Sequence, residues 1–320
     1  MVTIQRDHTL MIAECATSLG FSLTPDDIVR AVKSLPSSPR VLPRLKLLLA
    51  DGNSAMHDIV ALVRLDPGIA ARVLQTANSA YFGGVVRCMT VDEAVNRVGY
   101  DQIYELVSYA VASQVFVRPV DLYGIEADEL WKMSVACALA AEIIAERTQQ
   151  DRSVAYSIGL LHCLGMVALD EWALRNAHGL RFVAVGFPLE AVGAERATFG
   201  FTQADTGAAL LQHWDFPPVM SEPVRLQYSP GGSVAYLKMS TLLFAAKWLR
   251  SATCASNSAA LPPLREAVQL QAIGLTPTML SAMLPEVARR LAAVGSLLEI
   301  NREAKSRTGR HHFPAAAEAA

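Results

Sequence analysis

The chain has 320 residues, enough for one large or two modest domains, because domains usually contain about 100–200 residues. Hydrophobic residues make up 52% and charged residues 18%, which supplies enough apolar surface for a substantial core. The net charge of −2 lacks the basic footprint of a nucleic-acid-binding domain, so nucleic acid is excluded as a partner.

The apolar content does not predict a membrane protein. The longest apolar run, Ile158 to Leu169, is interrupted by His162 and is shorter than the roughly 20 residues that a span needs. The first eight residues lack the pattern of a signal peptide. The five cysteines are scattered and form no Cys-x-x-Cys pair, which is typical of reduced thiols. We expect a cytoplasmic protein with no membrane partner.

Helix signals follow one another along the first third of the chain. Thr24–Asp27 combines an N-cap, a proline at the first position and acids in the first turn. Asp66-Pro67 begins another helix, and Thr90–Glu93 has the spacing of a capping box. Gly99 can then end that helix in a left-handed conformation. These signals predict an all-α fold.

The remaining chain also has helical periodicity. A helix is predicted from about Asp101 to Phe116, and Arg118-Pro119 ends it, which indicates a subdomain boundary. Leu180 to Leu189 has some strand character but is interpreted as a loop. Further helices are predicted near 127–148, 152–169, 188–199, 203–214, 218–228, 233–251 and 277–300.

The most informative segment is Gly159-Leu160-Leu161-His162-Cys163-Leu164-Gly165. A buried helix reading Gly-Leu-Leu-His-Asp-Ile-Gly would resemble the HD phosphohydrolases, whose adjacent His and Asp both hold a metal. In this chain Cys163 stands at the position of that Asp.

Several ordered strings together resemble the HDOD family, the HD-related output domains of bacterial signalling. The strings are Leu35–Pro39, Asp66–Gly68, Ala77–Gly83, Ala94–Gly99, Leu130–Ser134, Gly159–His162, Phe199–Phe201 and Gly207–Leu211 with Trp214. The order and spacing hold from about residue 35 to 250. Asp66 and Pro67 can cap and begin a helix, and Asn78 and Ser79 can bond nearby backbone, so a structural role is favoured for all four. A place on a partner-facing surface is the alternative.

The resemblance implies an all-α fold in which an N-terminal helical subdomain packs on a degenerate HD-like helical bundle. The expected divisions are an N-terminal helical extension (1–34), the HDOD N-terminal helical subdomain (35–119), the degenerate HD-like subdomain (120–300) and a flexible tail (301–320).

Phosphoester hydrolysis by this class would need several His or carboxylate ligands that converge on a metal. The residues that stand at the implied ligand positions are Met133, the pair His162-Cys163, Gln203, the pair Gln227-Tyr228 and, for a late Asp, Ala246 or Lys247. One imidazole cannot build a hard-metal site, so we expect neither catalysis nor a cofactor. A softer metal on Met133, His162 and Cys163 is disfavoured, because Met133 lies in a stripe with ordinary helix-core spacing.

The sequence therefore predicts a non-catalytic regulatory module that acts through protein–protein contact in bacterial signal transduction. Family members are often joined to receiver or cyclic-di-GMP-related domains; this chain shows no such string, so a signalling partner is expected to act in trans. A homo-oligomer is left open.

The alternative is a sensor of a nucleotide or metabolite in the space vacated by the metal. That pocket would be lined by Met133, His162, Cys163, Gln203, Gln227 and Tyr228. The sequence shows no convergent Arg or Lys among these positions, which argues against an anionic ligand. A metal-dependent phosphohydrolase is the least favoured reading.

Overall fold

The computed structural model describes residues 23–32, 41–50, 54–99, 101–103, 107, 119–182, 189–232, 234–254 and 267–295. These residues form helices joined by turns, with no β-strand among them and a single antiparallel bridge between Val120 and Ile125. The all-α expectation is confirmed. The predicted helix from Asp101 to Phe116 and the expected tail at 301–320 lie largely or wholly outside the described residues.

The first third of the chain forms five helices within the described residues. They are α1 (Pro25–Ala31), α2 (Val41–Ala50), α3 (Met56–Val63), α4 (Pro67–Asn78) and α5 (Val91–Val98). Thr24 and Thr90 begin α1 and α5 with capping boxes, and the Asp66 carboxylate accepts from Ile69 N at 2.9 Å to begin α4. Helices α1, α4 and α5 therefore begin where the sequence predicts.

The rest of the described chain is also helical. Its elements are a 3₁₀ turn (Asp121–Tyr123), α6 (Ala127–Arg147), α7 (Arg152–Leu161), α8 (Leu164–Asn176), α9 (Leu189–Phe199), α10 (Gln203–His213), α11 (Pro218–Arg225), a second 3₁₀ turn (Pro230–Gly232), α12 (Leu237–Cys254), α13 (Ala267–Gln271), α14 (Pro277–Ser281) and α15 (284–295).

Helix α6 is the centre of the second half. It has 21 residues, of which most are buried, and it packs along α7 and α12, while α8 packs along α10. Helix α1 packs on α10 and α8, with Ile28 fully buried, so the described part of the N-terminal extension contributes to the core of the second half. The expected domain boundaries stay a prediction.

Two expected helices are broken. The helix predicted at 152–169 is two helices, because His162 and Cys163 turn the chain between α7 and α8. Cys163 has φ −88° and ψ −3°, which ends the regular helical backbone. The helix predicted at 277–300 is likewise interrupted at 282–283, between α14 and α15.

The two halves are joined at the turn between α3 and α4. The Trp131 indole N–H of α6 donates to Leu65 O at 2.9 Å, and the Tyr156 hydroxyl of α7 donates to Arg64 O at 2.9 Å. The Arg64 guanidinium also lies over the Tyr156 ring, 5.1 Å from its centroid. These contacts fix α4, and with it Asp66, against the second half.

One stretch, Arg152–Asn176, is long and apolar enough by length and composition to span a membrane. It comprises α7 and α8, and 94% of its most apolar window is buried inside the protein. A buried core helix passes the same criterion.

Candidate functional site

The turn between α7 and α8 lies at the point where four helices meet. A Cβ atom on Gly159 would lie 2.8 Å from Ala138 Cα of α6, and one on Gly165 would lie 1.7 Å from Gln203 O of α10. Glycine is therefore required at both positions, because the backbones of the neighbouring helices approach too closely for a side chain. This close packing encloses His162 and Cys163, which are 1% and 3% exposed.

The imidazole of His162 is held by both of its nitrogens. Nδ1 lies 2.6 Å from Gly159 O, a carbonyl, so Nδ1 carries the proton and donates. The lone pair is then on Nε2, which lies 3.1 Å from Arg250 Nη1, a donor. Cys163 Sγ lies 3.1 Å from the same nitrogen. The nitrogen that could bind a metal is thus already accepting a hydrogen bond from a cation.

Two basic side chains from α12 enter this region. Lys247 and Arg250 are 1% and 2% exposed. Lys247 Nζ donates to Gln227 Oε1 at 2.7 Å and lies 3.3 Å from the centroid of the Tyr228 ring. The sequence-based expectation that no Arg or Lys converges here is wrong. Lys247 stands at the implied position of the late Asp, and Arg250, three residues later in α12, lies on the same side of the helix.

The glutamines link the cluster to the neighbouring helices. Gln227 Nε2 donates to Val224 O at 2.9 Å and to His162 O at 3.3 Å. Gln203 Nε2 donates to the Tyr228 hydroxyl at 2.6 Å. We call the residues His162, Cys163, Gln203, Gln227, Tyr228, Lys247 and Arg250 the His162 cluster.

A buried carboxylate adjoins the cluster on the side of α9. Glu195 is fully buried and accepts from Gln203 N at 2.8 Å and from the Tyr123 hydroxyl at 2.6 Å. A chain of polar contacts therefore runs through the interior from Tyr123 and Glu195 through Gln203 and Tyr228 to the Lys247 amine. Glu195 was missed by sequence reasoning, because an acid inside the α9 pattern has no motif around it.

Burial dominates the acid–base properties of the cluster. Burial, with Arg250 and Lys247 nearby, holds the pKa of His162 well below its ordinary value, so the ring stays neutral. Burial raises the pKa of the Cys163 thiol, which keeps it protonated and a poor metal ligand. Burial and the neighbouring Arg250 lower the pKa of Lys247. Burial raises the pKa of Glu195, and this effect exceeds the opposite effect of the hydrogen bonds that its carboxylate accepts from Tyr123 and Gln203.

The structure brings five of the six sequence-predicted pocket residues into the cluster. The sixth, Met133, is half-buried on α6 and packs against the hydrophobic core. Its neighbour Ser134 is fully buried and lies beside the Cys163 thiol. The space is shared by the side chains of Lys247 and Arg250, which sequence reasoning did not place there.

The residues of the family motifs in the first half have local backbone partners. Asp66 is fully buried at the start of α4, before Pro67. Asn78 is fully buried at the end of α4: its Nδ2 donates to Cys88 O at 3.0 Å and its Oδ1 accepts from Cys88 N at 2.8 Å. Ser79 Oγ donates to Thr76 O at 2.7 Å.

A metal-ion site of the HD type does not fit these residues. In the part of the chain that the structure describes, no group of three or more His, Cys, Asp and Glu side chains converges in a way that could hold a metal ion. Within the cluster the donors are a neutral imidazole, a protonated thiol and two amides, and two basic groups face them. A hard divalent cation prefers oxygen anions, so this donor set is unsuitable.

The comparisons agree with this fold. An HDOD domain model matches residues 35–230. An uncharacterised protein of Treponema pallidum (strain Nichols) is 27% identical over 229 residues, covering 70% of this chain and 44% of that protein. The chain therefore spans less than half the length of this curated relative.

Two solved structures share the fold. The MmoQ response regulator of Methylococcus capsulatus superposes with a TM-score of 0.60 at 21% identity, covering 78% of this chain and 98% of the other. A virulence factor of Campylobacter jejuni superposes with a TM-score of 0.64 at 22% identity, covering 83% and 96%. With the family model matching more than half of its residues, the chain belongs to the HDOD family.

Proposed function

We propose that this protein is a non-catalytic regulatory module that acts through protein–protein contact in bacterial signal transduction. The main support for a non-catalytic role is the contact between Arg250 Nη1 and His162 Nε2, which are 3.1 Å apart. A guanidinium carries its charge at every cellular pH, and here it occupies the lone pair that a metal would need.

Electrostatics supports the same conclusion. A divalent cation next to His162 would meet the charge of Arg250 in a buried place, where water screens repulsion weakly. The Lys247 amine lies in the same cluster. Without a metal, no group in the cluster lowers the pKa of a water molecule so that it can attack a phosphoryl group.

The signalling context comes from the family and from a structural relative. The Methylococcus capsulatus protein of the same fold is named a response regulator. We propose that the partner is a signalling protein acting in trans, with cyclic-di-GMP pathways as one context. The sensor alternative is less well supported, because Gln227, Lys247 and Arg250 fill the space by bonding to groups of the cluster itself.

The experiment is elemental mass spectrometry of the purified, untagged chain before and after dialysis against Mg²⁺, Mn²⁺, Fe²⁺ and Zn²⁺. We expect far less than one metal ion per chain, and no hydrolysis of bis(p-nitrophenyl) phosphate with any of them. One tightly held ion that disappears in His162→Ala would overturn the proposal. A thermal-shift screen with nucleotides tests the sensor alternative, since a ligand selective for the native state must raise its stability.

A further inference from the structure

The loop between α4 and α5, residues 79–90, exposes a group of apolar side chains. Tyr81 is 88% exposed, Val85 is fully exposed and Val86 is 71% exposed. The other exposed large hydrophobic side chains among the described residues are separated from one another in the sequence: Leu47, Leu174, Val234 and Met279. Grouped apolar exposure of this kind is typical of interaction sites.

Hydrogen bonds hold the base of this loop in one shape. Asn78 bonds both backbone groups of Cys88, so the two ends of the loop are joined. Arg87 Nη1 donates to Asn78 O at 2.6 Å, and Gly83 N donates to Ser79 O at 2.6 Å. A Cβ on Gly83 would lie 2.5 Å from Ser79 O, so the turn requires glycine. A loop fixed before binding loses little conformational entropy when a partner arrives.

The tip of the loop adjoins a guanidinium that has no acidic partner among the described residues. Arg97 of α5 lies under Gly84, and a Cβ on Gly84 would be 3.9 Å from Arg97 Cζ. Arg97 Nη1 is shielded from water and has no hydrogen-bond acceptor. The second guanidinium at the loop, Arg87, is 3.6 Å from the Asp215 carboxylate. Arg97 as a whole is partly exposed, and Gly84 places no side chain over it, so a partner's carboxylate can approach the guanidinium beside Nη1.

We propose that the α4–α5 loop and Arg97 form a docking site for an apolar, acidic segment of the partner protein. Apolar side chains of that segment pack on Tyr81, Val85 and Val86, and an Asp or Glu pairs with Arg97. The inference rests on the proposed function, because it names the surface through which the regulatory contact is made.

Charge favours an acidic partner segment over the two other candidates, a second copy of the chain and an anionic membrane. A two-fold contact between copies of the chain centred on this loop would bring Arg97 towards a second Arg97, which is unfavourable. Recognition of an anionic membrane requires a cluster of about four to eight basic side chains, and the loop offers two, of which one is paired.

Photo-crosslinking in the native host tests the proposal. The full-length chain carries p-benzoylphenylalanine at position 81 and, as the control, at position 234, where Val234 is 91% exposed far along the chain. Crosslinked peptides are identified by mass spectrometry. We expect position 81 to label one protein, in a segment with Asp or Glu beside apolar residues, and position 234 not to label it.

Binding of that purified protein to the chain is then measured by calorimetry. We expect Val85→Ser and Arg97→Glu each to weaken binding at least tenfold, and an Asp or Glu→Arg change in the labelled segment to restore binding to the Arg97→Glu variant. The matched controls Val234→Ser and Arg196→Glu, at exposed positions away from the loop, leave binding unchanged.

Crosslinks from position 81 only to a second copy of the chain, to lipid or to nothing would overturn the docking site. So would unchanged affinity of Arg97→Glu. A signalling protein labelled from another surface would remove the docking site and leave the proposed function standing, whereas a bound metal with hydrolysis would remove the function itself.

Discussion

His162 performs a different task from a metal-binding histidine, although its place in the chain is the same. Its Nδ1 donates to Gly159 O, and its Nε2 accepts from Arg250. The ring therefore joins the end of α7 to α12 as a neutral connector. Neutrality matters, because a protonated ring would present a second donor to the guanidinium and repel it.

The neutral state of His162 predicts a pH-dependent stability. Its pKa is lowered in the folded chain, while an unfolded imidazole protonates near 6.5. Below about pH 6.5 the unfolded state binds one more proton than the folded state, so the free energy of unfolding falls as pH falls, by up to about 1.4 kcal/mol per pH unit. His162→Gln keeps an acceptor for Arg250 and loses this dependence.

Urea unfolding at pH 7.5 and pH 5.5 measures the difference. We expect the wild type to lose more stability than His162→Gln over this interval, by on the order of 1 kcal/mol. The other histidines are common to both proteins and cancel. Equal losses in the two proteins would show that the buried ring is protonated in the folded state.

Asn78 gives a second residue-scale prediction. Asn78→Ala leaves both the N–H and the C=O of buried Cys88 without a partner, and each unsatisfied group costs about 1–3 kcal/mol. We expect a loss of at least about 2 kcal/mol in chemical denaturation. Asn96→Ala, at an exposed position of α5, is the control and should change stability by less than about 0.5 kcal/mol. An equally small loss of stability in Asn78→Ala would contradict the role of Asn78 in joining the two ends of the loop.

At the scale of elements, the glycines on either side of the His-Cys pair set the distances between helices. Gly165 lies in α8 against Gln203 O of α10, and Gly159 lies in α7 against the backbone of α6. These contacts place His162 within reach of α11 and α12. The need for glycine at positions 159 and 165 is thus explained by helix packing alone.

Gly165→Ala is expected to destabilise the protein by about 3 kcal/mol or more, because backbone atoms cannot move aside as a side chain could. Gly193→Ala is the matched control: it lies in α9, and an added Cβ meets nothing within 4 Å. There the change should stabilise by about 0.5–1 kcal/mol. If the helix contact is as described, thermal and urea unfolding will show a lower free energy of unfolding for Gly165→Ala and a higher one for Gly193→Ala, each relative to the wild type.

Helix starts were the most predictable part of the fold. Thr24, Asp66 and Thr90 cap their helices through side chains only three residues away, so local sequence is sufficient. The break at His162 was not predictable, because it depends on the packing of α7 and α8 against other helices. Most of the His162 cluster was predictable, because residues such as His162 and Gln203 stand at motif positions, whereas Arg250 and the adjoining Glu195 come from segments without a motif.

At the scale of the whole molecule, few polar contacts join the first third to the second half. Trp131 and Tyr156 donate to consecutive carbonyls at the end of α3, those of Leu65 and Arg64. The apolar core is continuous across this junction, with Ile69 and Leu74 of α4 buried beside α7. We expect the two parts to unfold together.

Tyr156→Phe removes one junction hydrogen bond without changing packing and is expected to cost about 1 kcal/mol. Because the junction is shared, circular dichroism and tryptophan fluorescence should still report one transition with the same midpoint. Tyr236→Phe, at a partly exposed residue just before α12, is the control. Separate transitions for the two probes would show that the halves unfold independently.

The position of Arg250 also determines what a new ligand beside His162 could do. The substitution Cys163→Asp would place a carboxylate beside a guanidinium that already contacts His162, and the two would form an ion pair instead of a metal site. Arg250, Lys247 and Gln203 would have to change as well before a metal could enter. No single substitution would therefore build a metal site here, because a new carboxylate at position 163 would be neutralised by Arg250 and would hold the present contacts more tightly.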